Sequence, residues 1–313
     1  MHCPYCNQTQ KTFLYKTYSF HKKPFVFSKC LDCHCIYLDP LPDRETLDLA
    51  YSDEYYGQGE AKFIKPVERF IEWFRRQRAM LMHSLLKGKG RVLDMGCGNG
   101  QFLQSLAKLG NYEIHGIEMP GNSAERAKKV KGLHLHEGEI NKVKIDTRFD
   151  AITLIHVFEH LVDPAITLDK IDTLLVSNGY LVITVPNICS TQSSLFKGSW
   201  FHLDVPRHLF FFETQRFKEL MNARGYDLES SGSFSLEHSI WGFFQSLMNV
   251  IFKDRDLFYE ILKGKPHLIW RKPFQFFAQV VLSVVVMPLA FIEFVISEMI
   301  GRGVQKQFIF RKR

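Results

Sequence analysis

The sequence predicts a doubly wound α/β fold built on a mostly parallel sheet. Three observations carry that expectation. Short apolar strand patterns alternate with helical patterns between residues 91 and 230. A glycine-rich turn, Met95-Gly-Cys-Gly-Asn-Gly100, directly follows the first of those strands. The next strand closes on an acid, Glu118.

The elements follow in order. Residues 43–56 and 66–87 are expected helices; in the second, Val67, Phe70, Ile71, Phe74, Leu81 and Leu85 recur near helical spacing. Lys87-Gly-Lys-Gly90 ends it. Arg91–Met95 is a short strand and 101–109 a helix. Glu113–Glu118 is a strand, 122–131 a helix and Leu133–His136 a short strand. Asp150–Val157 is a nearly continuous apolar run, suited to a strand buried on both faces. A helix over 164–176, a turn at Asn178-Gly179 and a strand over Tyr180–Val185 follow. A helix at 214–223 and a strand at Tyr226–Ser230 complete the pattern.

The spacing of the glycines narrows the ligand. Gly96, Gly98 and Gly100 stand at alternate positions, where positive φ and close backbone approach come without steric cost. Such a loop, at the C-terminal edge of an open α/β sheet, is where ligands bind. Position 101 is Gln, so the dinucleotide fingerprint fails, and no Gly-Lys-Ser/Thr follows, so a phosphate loop fails too. The turn suits a ligand without phosphates. Glu118, eighteen residues after Gly100, can accept both hydroxyls of a ribose.

With these motifs in view, LDMGCGNG, IHGIE, EGEI, FDAITLIHVFEHL and LVITVPN, the stretch 65–232 resembles the class I methyltransferase superfamily. The resemblance implies a seven-stranded sheet and S-adenosylmethionine as cofactor. It implies that Asp94, Gly96, Cys97, Gly98 and Gly100 line its methionine and ribose part, that Glu118 holds the ribose and that Met119 lies against the adenine. Glu139 and Ile140 would border the adenine, and His156 would stand beside the sulfonium. A hydroxyl acceptor must also lose a proton, for which His is the usual base near neutral pH. His156, Glu159, His160 and His208 are the candidate catalytic residues; helix capping or loop structure is the competing explanation for the first three.

Five of the seven cysteines fall within residues 3–35. Cys3-x2-Cys6 and Cys30-x2-Cys33 are two thiol pairs, together a tetrahedral set for structural zinc. No basic segment followed by an apolar run opens the chain, so a cytoplasmic start is expected.

Net charge is +7, and from Lys253 onward eleven basic residues face five acidic ones. A basic excess suits an anionic membrane surface or nucleic acid. Residues 235–303 break the α/β rhythm. Phe274–Ile296 is long enough to reach across a bilayer, with Pro288 expected to break or kink it and let the chain return. Residues 304–313 are expected to form the last strand of the sheet. The domains expected are thus a zinc ribbon at 1–42, a catalytic domain at 43–234, an apolar membrane-associating helical insert at 235–303, and the last strand. A zinc ribbon before such a catalytic domain resembles two groups: bacterial methyltransferases that accompany surface-polysaccharide and lipid biosynthesis, and RNA methyltransferases. The C-terminal insert favours the first. The expected protein is therefore cytoplasmic, peripheral or monotopic at the inner face of the cell membrane. It would methylate an oxygen of a lipid-linked glycan, sugar or quinone-like small-molecule acceptor, with nucleic acid disfavoured as a partner. RNA methylation, or a non-catalytic membrane-tethered module, are the alternatives.

Overall fold

The computed structural model describes residues 2–20, 22–51, 65–263 and 265–313, except for the side chains of 65–71. Part of the helix expected over 43–56, and Val67, Phe70 and Ile71 as packing residues, lie outside what is described. The chain divides into two compact units. Among the described residues, one gathers those of 1–51, 185–219 and 232–307; the other gathers those of 65–184, 220–231 and 308–313.

The chain opens with β1 (Lys11–Tyr18), β2 (Pro24–Cys30) and β3 (Ile36–Leu38), paired antiparallel in that order. Helix α1 (Arg44–Ala50) starts at Asp43, whose side chain accepts from the Thr46 N–H at 2.8 Å. Helix α2 runs from Lys65 to Leu86.

The second unit centres on β4 (Lys89–Met95), α3 (Gln101–Ala107), β5 (Asn111–Glu118), α4 (Asn122–Ala127), β6 (Leu133–Glu137) and β7 (Phe149–Ile155). Helix α5 (Pro164–Leu174) then leads into β8 (Leu175–Pro186). β6, β5, β4, β7 and β8 are parallel neighbours. The chain fills one side of β4 with β5 and β6, then returns to its other side with β7. That reversal is the switch point where open α/β sheets bind ligands. The turn expected at Asn178-Gly179 lies inside β8; Asn178 takes a φ of 62°, and the register against β7 slips between Phe149 and Ala151. The core joins Val92, Ile114, Ala151 and Val182 of the sheet to Phe102, Leu103 and Leu106 of α3 and to Ala79 and Met82 of α2. Each fully buried Val, Leu, Ile, Phe or Met side chain contributes roughly 1.5–3 kcal/mol.

The remaining elements are α6 (Thr191–Phe196), β9 (Phe210–Phe211), α7 (Thr214–Ala223), β10 (Tyr226–Gly232), α8 (Leu236–Ile251), α9 (Leu257–Leu262), α10 (His267–Arg271), α11 (Pro273–Met299) and β11 (Gln305–Lys312). The large sheet has the order β10-β11-β8-β7-β4-β5-β6, so the terminal segment is its last strand in sequence, as expected. β9 pairs antiparallel with β3, so the ribbon sheet has four strands and residues 1–42 belong to a larger compact unit.

One expectation fails in α11. The helix runs unbroken through Pro288. A proline removes a single backbone bond, while α11 is braced along α8 by Phe244, Met248 and Val286, with Leu282 and Trp241 packed around them. That packing outweighs the local defect, and the chain does not turn back at Pro288.

Candidate functional site

The glycine turn separates into three roles. Gly96 has a φ of 75°, and a Cβ there would meet Val157 Cγ2 at 2.5 Å. Gly100, at φ 72°, is the N-cap of α3, and a Cβ would press on Leu133 and Val130. Gly98, at φ 57°, is different: a Cβ there would meet nothing within 4 Å. Gly98 alone of the three looks onto open space. Cys97 turns its side chain inward as part of the core, and its Sγ occupies the room left by Gly116. Only its backbone stays in the turn.

Two carboxylates serve this turn. Glu118, at the end of β5, accepts the Gly98 N–H at 2.7 Å through Oε2. Burial raises its pKa, and the Gly98 and Met119 N–H groups partly offset the rise. Asp94 pairs in register with Thr153 of β7 and accepts its hydroxyl at 2.5 Å. Almost fully buried, its carboxyl is pushed up to about 7. Thr153 was not expected at the site; its signal is the register that sets it opposite Asp94.

Met119 is half exposed. Glu139 pairs with Lys142 at 2.8 Å, and the Ile140 carbonyl accepts from Lys170 Nζ at 2.6 Å. The Gly138 N–H donates to the Glu118 carbonyl at 2.9 Å, tying this loop to the end of β5. The open side at Gly98 and the carboxylate of Glu118 held beside it fit a ribose-bearing ligand.

His156 follows β7 with a φ of 54°, unusual for a non-glycine residue, and its N–H donates to the Thr184 carbonyl at 2.9 Å. Its Nδ1 lies 3.4 Å from Oε1 of the buried Glu159. His160 ends the same short 3-10 turn, Phe158–His160. His208 belongs to the other compact unit. Its Nδ1 is 2.8 Å from the His202 carbonyl, which only accepts, so Nδ1 carries the proton. Nε2 stands 3.8 Å from Asp204 Oδ2.

The four cysteines converge. Cys3 and Cys33 Sγ are 3.5 Å apart, Cys6 and Cys30 Sγ 3.6 Å, and all four lie within 4.8 Å of one another. With Zn–S bonds of about 2.3 Å, a tetrahedron has S···S edges of about 3.8 Å. The donor set therefore fits zinc. Cys35 is wholly buried beside them, its thiol raised well above the ordinary value by burial.

The sequence profile of a family described as "Methyltransferase domain" matches residues 60–231, more than half of the chain. The chain belongs to the class I S-adenosylmethionine-dependent methyltransferases. The large sheet and its helices are that family's fold, as the sequence predicted. This methyltransferase is similar to two proteins named "Ubiquinone biosynthesis O-methyltransferase". The one from Neisseria meningitidis serogroup C is 30% identical over 113 residues, 34% of this chain and 47% of that protein. The one from Pasteurella multocida is 32% identical over 118 residues, 33% of this chain and 48% of that protein. The chain spans about half the length of the curated relatives it matches. Among solved structures, the plantazolicin methyltransferase BpumL, in complex with an analog and SAH, is 14% identical at a TM-score of 0.47, covering 79% of this chain and 86% of that one. The YcgJ protein of Bacillus subtilis is 16% identical at a TM-score of 0.48, covering 76% and 98%. Both are likenesses of fold.

Proposed function

We propose that this methyltransferase methylates an oxygen of a lipid-linked glycan, sugar or quinone-like acceptor at the inner face of a cell membrane. In this reading Glu118 accepts the ribose hydroxyls of S-adenosylmethionine, and Asp94 and the backbone at Gly96, Cys97, Gly98 and Gly100 border its methionine and ribose. Met119, Glu139 and Ile140 border the adenine. The cofactor supplies a methyl already activated on a sulfonium. What the chain adds is alignment, together with removal of the acceptor's proton. His156, beside the sulfonium end and steadied by Glu159, is the first choice of base; His160 is in reach of the same turn, and His208 Nε2 is the alternative. Cys3, Cys6, Cys30 and Cys33 hold a structural zinc. The relatives' name, an O-methyltransferase of ubiquinone biosynthesis, supports oxygen methylation and a quinone-like acceptor.

The observation that carries the membrane reading is the surface of α11. Its 27 residues have a mean hydropathy of 2.5 over the most apolar window, of which 22% is buried. Gln279, Val286, Ala290, Phe294 and Ser297 face inward. Phe274, Phe277, Val281, Val284 and Met299 stand exposed, Phe274 at 91%. Patches of this kind mark interaction or membrane surfaces. The helix is tied to polar protein groups at both ends. Lys272 pairs with Asp254 at 2.9 Å, and the Arg302 carbonyl accepts the Thr191 N–H at 3.1 Å. A rod tethered at both ends and braced along α8 suits lying in the interface, apolar face down, better than re-entering the bilayer.

Two measurements test the proposal. Radiolabelled methyl from S-adenosylmethionine is expected in the lipid or lipid-linked glycan fraction of the source cells; label confined to RNA would overturn it. The protein is expected to float with anionic vesicles. Phe277→Glu combined with Val281→Glu and Val284→Glu is expected to leave it in solution, since each exposed side chain gives up roughly 1.5–3 kcal/mol of apolar burial. Unchanged flotation of that variant would remove α11 as the membrane surface.

A further inference from the structure

The seven-stranded sheet carries a second cluster of metal-ligand side chains, alternating along β5 and β6 with Gly116 and Leu133, whose side of the strands meets the glycine turn. Its origin is strand geometry. Side chains two residues apart share one face of a strand, so Glu113 and His115 of β5 lie together, as do His134 and His136 of β6. The parallel register sets His115 against His134. Three imidazoles and a carboxylate are thereby placed on one face of the pair.

Their geometry is close. A carboxylate oxygen of Glu113 and ring nitrogens of His115 and His134 all lie within 4.8 Å of one another. His115 Nε2 is 2.9 Å from Glu113 Oε1. The His115 ring stacks on His134 at 4.7 Å between centroids and on His136 at 5.5 Å. His115 is buried, while Glu113 and His134 are exposed, so an ion reaches the cluster from solvent.

We propose that Glu113, His115 and His134 form a second metal site, taking a divalent transition ion of the zinc class. Imidazole with carboxylate is a donor set for such ions. Bonds of about 2.0–2.2 Å place neighbouring ligand atoms roughly 3.3 Å apart in a tetrahedron. That pair's 2.9 Å opens slightly as the ion displaces the Glu113–His115 hydrogen bond, and the exposed His134 ring, stacked on His115, turns to aim a nitrogen at the ion. His136 completes the design. Its Nε2 is 3.2 Å from His115 Nδ1. When His115 ligates through Nε2, its Nδ1–H donates to His136, the outer hydrogen bond that fixes a metal-bound imidazole. Arg91 Nε holds the other carboxylate oxygen, Glu113 Oε2, at 2.7 Å and orients it.

The site is structural. Glu113 precedes Glu118 by five residues, about 16 Å along a strand. β6 is the edge of the sheet. An ion bridging β5 and β6 fastens an edge that backbone bonds secure on one side only.

Cobalt titration of the reduced chain, exchanged stepwise from its bound metal, separates the two sites by spectrum. The first equivalent is expected to fill the cysteines, with intense thiolate charge-transfer absorption. The second is expected to add weaker d–d absorption without more thiolate signal, and to raise the unfolding temperature. His134→Ala, a surface change, is expected to remove the second equivalent and keep the first. His136→Ala is expected to weaken it about 10–100-fold. Saturation at one equivalent in the native chain would overturn the proposal. So would an unaltered second equivalent in His134→Ala; the row would then be a hydrogen-bonded network only.

Discussion

The cysteine knuckles and the glycine turn are both short loops bent through left-handed backbone, yet they use that bend in opposite ways. Each knuckle is Cys-x-x-Cys followed by an ordinary residue at positive φ, Asn7 and His34, both at 60°. In each, the first cysteine N–H donates to the carbonyl five residues on, Cys3 to Gln8 at 2.8 Å and Cys30 to Cys35 at 2.9 Å. The backbone closes on itself and the side chains are the proposed ligands. In the glycine turn three of the five residues carry no side chain, Cys97 turns its own into the core, and at Gly98 backbone faces the open side with Glu118 beside it. Where thiols do the binding, left-handed positions tolerate Asn or His. Where the backbone itself must be approached, only glycine serves.

The largest effect is expected at the knuckles. Cys3→Ser or Cys30→Ser should lose the zinc, because apparent binding free energies of structural zinc run to ~10–16 kcal/mol and are folding free energy. Metal analysis should find about one zinc less per chain, and thermal unfolding should begin earlier. The affinity for S-adenosylmethionine should persist, because the glycine turn is built without those thiols. Zinc-free native protein would end the knuckle half of the comparison.

The next effect is at the turn. Glu118→Ala should weaken S-adenosylmethionine binding by about 1.5–3 kcal/mol for each charge-assisted hydrogen bond removed. It also strips the Gly98 N–H of its 2.7 Å acceptor. Unchanged affinity by calorimetry would show that the turn does not bind through this carboxylate.

A smaller effect follows from Asp94. Its carboxyl sits at about 7 in the folded chain against 3.8 ordinarily, chiefly through burial. The folded protein therefore holds a proton across that window which the unfolded chain has lost. The contribution of Asp94 to stability is accordingly largest below 3.8 and falls as pH rises through about 7. A cofactor bearing a positive sulfonium favours the ionised form. Its affinity is expected to rise as pH rises through that value, and Asp94→Asn should flatten the rise. A flat profile in the native chain would detach Asp94 from the cofactor.

Much of this was legible in the sequence because it is written in local spacing. The strand–turn–acid order located β4, the glycine turn and Glu118, and two Cys-x-x-Cys pairs located the four converging thiols. Tertiary features were not legible. Phe210–Phe211 is too short to show a period, so its pairing with β3 left no trace. Cys97 points into the core only because Gly116 makes room for it. Pro288 reads as a break, yet the bracing of α11 along α8 overrides it. Glu113, His115, His134 and His136 meet through a register between strands that spacing does not reveal.

The finest test separates two glycines that look alike in sequence. Alanine at a left-handed position costs about 1–2 kcal/mol wherever it sits. At position 96 its Cβ would also press into Val157 at 2.5 Å, an overpacking that adds typically 1–3 kcal/mol. At position 98 the methyl would enter open space, within 4 Å of nothing. Gly96→Ala should therefore lower the unfolding temperature more. Gly98→Ala should cost less stability but lose S-adenosylmethionine affinity beyond what its backbone strain explains, because the methyl fills the surface the ligand approaches. Measuring unfolding and calorimetric affinity on both variants gives the answer as a ratio. Should Gly98→Ala bind the cofactor as the native chain does, the open side of the turn is not the binding side, and the contrast with the knuckles fails at its centre.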